Sequence, residues 1–474
     1  MRFIKLILLV AVLLAIAGAA AGWYFAGRGA GPSIAIGSPQ KYVGRATPLN
    51  ITVEADTPVT APDIVIEQGG QSMAVTPETI DGTGTGRVAV SGTVGKSSQP
   101  ALANGPARLV VTARRNVFFG LRQASSTVTH DVEVRLDPPR VAVVSLHHFI
   151  NAGGVEFVVM RATPPDAEAG IQVGDARYPT YPGSAVGLAD PALRIGFFAW
   201  RHDQDGKTRI SAYARDAAGN QVTAPFDYKP FPKRFLESKI PIDQRFLDRV
   251  VPDIASNTPG LTVDTGSPDG LLKGFLEING NLRKKNNDAI AALASKTQPR
   301  MLWSEAFAPM GNAQVESRFA DRRTYFFDDK EIDRQVHLGF DLASLQRAPV
   351  LASNAGVVVH ADYLGIYGNC VIVDHGLGVQ SLYAHLSTIN VKAGDTVTKG
   401  QELGRTGATG LAGGDHLHFT VLLQGTPVNP VEWWDPHWME DRVFRKIREA
   451  GGEAGVPAAR TLRGGVETPT APKR

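Results

Sequence analysis

The sequence predicts a mostly β protein of several domains, with a membrane-spanning helix at its start and a helical stretch before its last domain. A chain of 474 residues is too long for one typical domain. Its 50 glycines and 31 prolines indicate many turns, and hence many short strands. Apolar residues alternate with a period of two in most of the chain and recur at helical spacing only in limited stretches.

Residues 1–30 form the predicted membrane anchor. Arg2 and Lys5 are followed by an uncharged run, Leu6–Gly27, that is long enough to cross a bilayer as a helix. The aromatic triplet WYF lies where an interfacial belt would be, and the basic flank places the N-terminus in the cytoplasm. The alternative is a cleaved signal peptide, because AGAAAG offers small residues for cleavage. In both cases the remaining chain lies outside the cytoplasm.

Two β domains are predicted next, over residues 31–137 and 138–230. In the first, LNITVEA and VTHDVEVRL alternate and the turn formers DGTGTG lie between them, which is typical of an antiparallel sandwich. The boundary is placed at LDPPR. The second domain ends in RISAYARDAAGNQVTAPF, which resembles the last hairpin of bacterial Ig-like domains. We therefore expect two Ig-like β-sandwich domains.

A helical connector is predicted over residues 231–300. Asp243 is a candidate N-cap of one helix, and Ser267 caps a second helix that begins at Pro268. Gly280 is a candidate interruption of the second helix. The connector could also lie across an active site. Residues 301–436 are β-rich again, and residues 437–474 are predicted to form a C-terminal helix and a disordered tail.

Composition excludes several classes of function. A net charge of +3 is too small to indicate nucleic-acid binding, and the single cysteine, Cys370, excludes an intramolecular disulfide and a cysteine-based zinc cage. The sequence contains no H-E-x-x-H, no G-x-S-x-G and no Walker-type phosphate loop.

Histidines concentrate in the last third of the chain, which holds seven of the 11. In GDHLHF, His416 and His418 are two residues apart and would share one face of a strand. In VHLGFDLA, His337 and Asp341 are four apart and would also share a face. Two imidazoles and one carboxylate leave the fourth position of a zinc site open for water, the plan of a catalytic site. In SLYAHLSTI, His385 follows Tyr383 by two and would face the same side as that residue.

Taken together, HLGFDLA, YAHL and GDHLHF resemble the motifs of the lysostaphin/LytM-type zinc metallopeptidases, whose domain is also called the duplicated hybrid motif fold. The resemblance covers about Pro309 to Pro430 and includes the connecting phrases SRFADRR and AGDTVTKGQELGRTGATG. Two positions depart from the usual pattern: Asp415 stands where many relatives have proline or a small residue, and Thr420 where a glutamate is common.

The resemblance implies the roles of five residues. His337, Asp341 and His418 match the ligands of one Zn²⁺. His385 and His416 match two catalytic histidines, of which one helps to deprotonate the zinc-bound water and the other helps to stabilise the tetrahedral intermediate.

The resemblance also implies a function. The expected activity is a zinc metalloendopeptidase that hydrolyses peptide bonds in the stem peptides or cross-links of peptidoglycan, from a single-pass anchor in the bacterial cytoplasmic membrane with the catalytic domain in the periplasm. The alternative is a catalytically silent or latent scaffold of the same fold that activates a cell-wall amidase or binds an envelope partner. Peptidoglycan, the membrane and an envelope protein regulator are therefore the expected partners, and nucleic acid is not.

Overall fold

The computed structural model describes residues 2–453, and the chain divides into two compact units. The first unit comprises Met1–Pro139 and Arg215–Val222, and the second comprises Arg140–Ala214 and Thr223–Arg474. The tail predicted at the C-terminus lies outside the described residues from position 454 onward. The expectation of a mostly β protein is confirmed.

The first unit begins with a long helix, α1 (Arg2–Ala26), followed by nine strands. Within α1, Phe3–Ala26 is long and apolar enough to cross a membrane. The strands are β1 (Ser33–Ser38), β2 (Tyr42–Val43), β3 (Thr47–Glu54), β4 (Asp63–Gln68), β5 (Gln71–Ala74), β6 (Thr79–Asp81), β7 (Arg87–Val94), β8 (Gly105–Val117) and β9 (Arg122–Val134).

Two sheets of the first unit share one apolar core. One sheet has the order β1-β3-β7-β6 and the other the order β2-β9-β8-β4-β5. Alternate residues of the strands point inward, such as Leu49, Ile51 and Val53 of β3, which the period-two pattern predicted for one face. They pack against residues of the second sheet such as Leu109 and Val111. The arrangement is a two-sheet sandwich, and its Ig-like assignment remains a prediction.

Ten strands follow, and they belong to the second unit except for the last residue of β17 and the first two of β18. They are β10 (Arg140–Val143), β11 (His148–Asn151), β12 (Val155–Thr163), β13 (Glu168–Val173), β14 (Ala176–Pro179), β15 (Tyr181–Pro182), β16 (Leu193–Ala199), β17 (Ile210–Arg215), β18 (Gln221–Ala224) and β19 (Tyr228–Phe231). One sheet has the order β10-β12-β16-β15, in a second sheet β13 lies between β14 and β17, and β11 pairs with β19 in parallel.

Three helices follow at the positions that the apolar spacing predicted: α2 (Gln244–Asn257), α3 (Pro268–Glu277) and α4 (Arg283–Ala292). The predicted caps are confirmed, because the Asp243 carboxylate accepts a hydrogen bond from Phe246 N and the Ser267 hydroxyl accepts one from Gly270 N. The helix does not stop at Gly280. It widens there into one π-helical turn, Ile278–Leu282, before α4.

The C-terminal part of the second unit is built on one large sheet, with the order β21-β24-β32-β28-β27-β26-β30 and β33 paired to β32. Two three-stranded sheets, β20-β22-β23 and β25-β31-β29, accompany it. The strands are β20 (Glu237–Ile242), β21 (Gln314–Ser317), β22 (Asp321–Phe327), β23 (Lys330–His337), β24 (Phe340–Ala343), β25 (Pro349–Leu351), β26 (Gly356–Tyr363), β27 (Asn369–Gly376), β28 (Val379–Leu386), β29 (Thr388–Ile389), β30 (Thr396–Val397), β31 (Glu402–Arg405), β32 (Leu417–Leu423) and β33 (Thr426–Val428).

Three short helices end the described chain: α5 (Val431–Trp434), α6 (Pro436–Met439) and α7 (Arg445–Glu449). As predicted, the Asp435 side chain caps α6, accepting a hydrogen bond from His437 N, and Pro436 is its first residue.

The helical segment α2–α4 packs on one face of the large sheet. Its core includes Leu247, Val251 and Phe275 from the helices, together with Leu382 and Ala384 of β28. In the pairing of β28 with β32, Ala384 lies opposite His418, so these two residues share a face. The helical segment therefore covers the sheet face on which His418 lies.

Candidate metal centre

Three side chains with metal-ligating atoms meet where β23, β24 and β32 come together. In the antiparallel pairing of β24 with β32, Asp341 lies directly opposite His418. His337 Nε2 is 2.9 Å from both Asp341 Oδ1 and His418 Nδ1, and those two atoms are 3.0 Å apart. All three residues are buried. The structure thus brings together the three residues that the sequence predicts as ligands.

The prediction that His337 and Asp341 share a face of one strand is wrong. His337 ends β23, in a three-stranded sheet, whereas Asp341 belongs to β24 of the large sheet. Leu338 and Gly339 connect the two strands. Glycine is required at position 339, because a Cβ there would lie only 2.6 Å from His418 Nε2. The close contact depends on this turn between sheets, not on strand alternation.

Hydrogen bonds fix which ring nitrogen of each histidine faces the centre. His337 Nδ1 lies 3.1 Å from the carbonyl oxygen of Arg318, which can only accept, so Nδ1 carries the proton and Nε2 presents its lone pair. The Thr420 hydroxyl donates to Leu338 O at 3.0 Å and accepts from His418 Nε2 at 3.1 Å. His418 therefore presents Nδ1 as a lone pair.

This set of atoms suits a cation. Two imidazole lone pairs and one carboxylate oxygen lie within 3.0 Å of one another without a proton to share between them, which is unfavourable in a buried site unless a positive charge lies among them. Nitrogen and carboxylate donors in this number match a zinc site that keeps one position open. The residues present therefore fit the metal that the resemblance implies.

Arg323 holds the second carboxylate oxygen of Asp341, a candidate metal ligand. Its guanidinium donates to Asp341 Oδ2 at 3.0 Å and to Ser317 Oγ at 2.8 Å. Burial alone raises the pKa of Asp341, but the neighbouring His337, His416 and His418 reverse this and hold the pKa well below its ordinary value. The carboxylate is thus ionised and oriented.

His385 reaches the centre through a β-bulge. Its φ is +63°, and the pairing of β27 with β28 shifts register between Asn369↔Leu386 and Val371↔Tyr383, so β28 holds one extra residue there. The prediction that His385 faces the same side as Tyr383 is therefore wrong. The bulge turns the imidazole toward the site, with ring centres 4.9 Å from His416 and 5.7 Å from His418.

His385 and His416 both present Nε2 to the centre. His385 Nδ1 donates to Thr409 O at 2.8 Å, and His416 Nδ1 donates to Gly414 O at 2.8 Å. His416 Nε2 is 3.5 Å from Asp341 Oδ1. His416 precedes β32 and forms an isolated bridge with Gly407, so the strand pattern predicted for GDHLHF begins one residue later than expected.

Burial and charge separate the protonation of these histidines. Burial lowers the pKa of His385 well below its usual value, and it lowers that of His418 to about 4. Burial also lowers the pKa of His416, but the Asp341 carboxylate outweighs it, and the net pKa is raised. The site therefore holds neutral imidazoles next to one that is more readily protonated.

Three functional neighbours were not predicted as site residues: Ser317, Arg323 and Thr420. Thr420 is two residues after His418 on the same strand, so the period-two rule was sufficient to place its hydroxyl on the site face. Ser317 and Arg323 arrive from β21 and β22, and their contacts depend on strand order. Nothing in the sequence spacing gives that order.

The C-terminal region of the chain is similar to a known family of peptidases. Residues 335–430 match the profile of Peptidase family M23. The C-terminal region of the chain is therefore similar to an M23 peptidase domain. The expected resemblance to the lysostaphin/LytM-type peptidases is thereby confirmed for the C-terminal region.

Curated relatives that match this region include two bacterial peptidases. The DD-carboxypeptidase/endopeptidase Mpg of Neisseria gonorrhoeae is 43% identical over 97 residues, which cover 20% of this chain and 22% of Mpg. The peptidoglycan DD-endopeptidase ShyA of Vibrio cholerae is 31% identical over 163 residues, 34% of each chain. The matches thus span between a fifth and a third of these relatives.

Solved structures similar to this chain include the catalytic domain of lysostaphin from Staphylococcus simulans, with 24% identity and a TM-score of 0.20, covering 30% of this chain and 96% of that domain. A zinc containing peptidase from Vibrio cholerae has 14% identity and a TM-score of 0.26, with 69% of this chain and 80% of that chain covered.

Proposed function

We propose that this protein is a zinc metalloendopeptidase that hydrolyses peptide bonds in the stem peptides or cross-links of peptidoglycan. The observation that carries the proposal is the convergence of His337 Nε2, Asp341 Oδ1 and His418 Nδ1 within 3.0 Å of one another, with two further imidazoles beside them. The M23 match and relatives named as peptidoglycan endopeptidases support the substrate class.

In this proposal three residues hold the metal and two act on protons. His337, Asp341 and His418 would hold Zn²⁺, which would supply a Lewis acid for a scissile carbonyl. His385 and His416 each have Nδ1 engaged by a backbone carbonyl, so Nε2 is left to accept a proton from water and, once it is protonated, to donate that proton to a developing oxyanion. Which of the two performs each task is left open by their equivalent hydrogen bonding.

The proposal places the site outside the cytoplasm. The apolar helix α1 acts as an uncleaved single-pass anchor in the cytoplasmic membrane, and the β domains, which we propose to be Ig-like, carry the peptidase domain into the periplasm. A substrate in the cell wall and a catalytic domain in the periplasm are consistent with one another. An envelope protein remains a candidate regulator.

The test uses the full chain in detergent micelles, loaded with zinc and incubated with purified peptidoglycan. Mass spectrometry is expected to find new peptide termini among the released fragments, and these are lost with a chelator or with His418→Ala. His437→Ala, at an exposed histidine of α6, is the matched control and should retain activity.

Metal content separates the proposal from its alternative. A protein that binds one zinc per chain but releases no new termini from any peptidoglycan preparation contradicts the enzyme proposal and favours the silent scaffold. A scaffold need not hold zinc at all, so elemental analysis of the purified chain belongs in the same experiment.

A further inference from the structure

The hairpin of β8 and β9 in the first unit ends in an apolar tip. Its two strands pair over 13 residues each, from Gly105↔Val134 to Val117↔Arg122. The joining residues read FFGL, and in this tip Phe119 is 97% exposed and Leu121 72% exposed. Neighbouring large apolar side chains left open to solvent mark a contact surface.

The backbone of the tip is unusual for its residues. Phe118 has φ +49° and Phe119 has φ +58°, and both values lie in the left-handed region. Turns with this geometry ordinarily use glycine, asparagine or aspartate, because a bulky side chain is strained there. Phenylalanine does not favour this turn. Two phenylalanines at such positions therefore indicate that their rings are needed for a contact with another surface.

The tip lies beside the end of the apolar helix α1. The ring of Phe118 is so near Gly22 that a Cβ on this glycine would lie 3.0 Å from Phe118 Cε2. Gly22 is inside the candidate membrane span, Phe3–Ala26. The hairpin thus reaches past the end of the helix to a level within the apolar run.

Arginine and aromatic residues frame this contact. The Arg122 guanidinium lies 4.1 Å from the ring centre of Trp23 and donates to Trp23 O at 2.5 Å. Arg28 lies 4.3 Å from the ring centre of Tyr24. Tryptophan, tyrosine and arginine are the residues that hold a polypeptide at the headgroup level of a membrane, with apolar side chains beyond them.

We propose that the tip Phe118–Leu121 inserts into the outer interfacial region of the same phospholipid bilayer that α1 spans, as a second membrane contact of the first β domain. The inference rests on the anchor described under the proposed function. Phe119 and Leu121 enter the acyl boundary, while Arg122 stays among the headgroups. The β domain is then held at the membrane by two points, and its rotation about α1 is restricted.

The test measures membrane depth with spin labels on the full chain in phosphatidylcholine/phosphatidylglycerol nanodiscs. The native Cys370 is fully buried, so cysteines introduced by Phe119→Cys, and separately by Leu121→Cys, are labelled selectively. The control is Ser72→Cys, at an exposed site of β5 away from the tip. Ser72 pairs with Glu67, and Glu67 pairs with Arg108, which lies near the end of β8 opposite the tip. A third label at Leu13→Cys reports whether α1 itself lies in lipid.

The accessibility of each label to oxygen and to a water-soluble nickel relaxer is the readout. The ratio of oxygen accessibility to nickel accessibility is expected to be at least several-fold higher for the labels at 119 and 121 than for the label at 72. Equal nickel accessibility at 119, 121 and 72 overturns the inference. If the label at Leu13 is nevertheless in lipid, only the hairpin contact fails, whereas an aqueous label at Leu13 also overturns the proposed anchor.

Discussion

Thr420 determines the tautomer of His418, one of the proposed zinc ligands. Its hydroxyl donates a hydrogen bond to Leu338 O, so its oxygen must act as the acceptor for His418 Nε2. The ring proton of His418 is therefore on Nε2, and Nδ1 carries a lone pair. Partners of this kind orient metal ligands and contribute to affinity. The Thr420 hydroxyl is thus the hydrogen-bond acceptor for His418 Nε2.

We expect Thr420→Val to weaken zinc binding by about 10- to 100-fold. The isosteric valine cannot accept the hydrogen bond from His418 Nε2, so both tautomers of His418 become accessible. Competition with a chromophoric chelator measures this affinity on the full chain. Thr420→Ser keeps the hydroxyl and should remain close to wild type. Equal zinc affinity in the valine and serine variants would contradict the role assigned to the Thr420 hydroxyl.

His385 illustrates where sequence reasoning about the site ends. Its membership of the site followed from the motif YAHL, but its direction did not follow from strand alternation, because a bulge with φ +63° reverses it. A bulge depends on pairing with a partner strand that is distant in the chain or not specified by local pattern. His337 and Asp341 show the same limit, since a turn between two sheets joins them.

The helical segment was predictable as an element but not in its placement. Asp243 and Ser267 cap α2 and α3 as expected, because capping depends on neighbouring residues. The sequence also allowed the segment to lie across an active site. In the structure it packs on the site face of the large sheet, and the Arg249 guanidinium donates to Ala412 O at 2.8 Å, in the glycine-rich loop before His416.

This contact leads to a prediction about latency. If α2 restrains the loop and so limits access to the site, Arg249→Ala should raise cleavage of peptidoglycan by roughly 5-fold, the equivalent of one hydrogen bond of about 1 kcal/mol. Release of soluble fragments by the full chain is the measurement. Lys285→Ala, which removes one exposed positive charge from α4 outside the cavity that Arg249 lines, serves as the control.

The opposite outcome is equally informative about α2. Arg245, Arg249 and Arg323 line one cavity of about 560 Å³ beside the candidate centre. A loss of activity in Arg249→Ala, without a change in zinc content, would sink the latency prediction and would indicate that α2 forms part of the substrate-binding wall.

At the scale of the whole second unit, buried charges connect its ends. Lys446 of α7 donates to Glu156 Oε1 of β12 at 2.8 Å, and both side chains are almost completely buried. Glu432 of α5 accepts from Asn151 Nδ2 and from Val155 N, each at 2.8 Å. These contacts join residues more than 270 positions apart, so local patterns that predicted a separate second β domain and a separate C-terminal helix could not reveal them.

Glu432 gives this unit a pH-dependent stability. Burial raises the pKa of Glu432 to about 7, although the hydrogen bonds from Asn151 and Val155 act against the shift. Between the ordinary glutamate value and pH 7 the unfolded chain has lost this proton while the folded chain keeps it. Unfolding then releases a proton, so stability falls as pH rises, by up to about 1.4 kcal/mol per pH unit, and the loss is complete above the folded-state pKa.

We therefore expect Glu432→Gln to flatten the stability profile between pH 5 and pH 7, because the amide cannot ionise. Urea unfolding of the full chain in detergent, followed by tryptophan fluorescence at pH 5, 6, 7 and 8, gives the slope for both proteins. Glu449→Gln, at an exposed glutamate of α7, controls for the loss of one negative charge and should keep the wild-type slope. Parallel profiles for wild type and Glu432→Gln would show that Glu432 ionises equally in the folded and unfolded states.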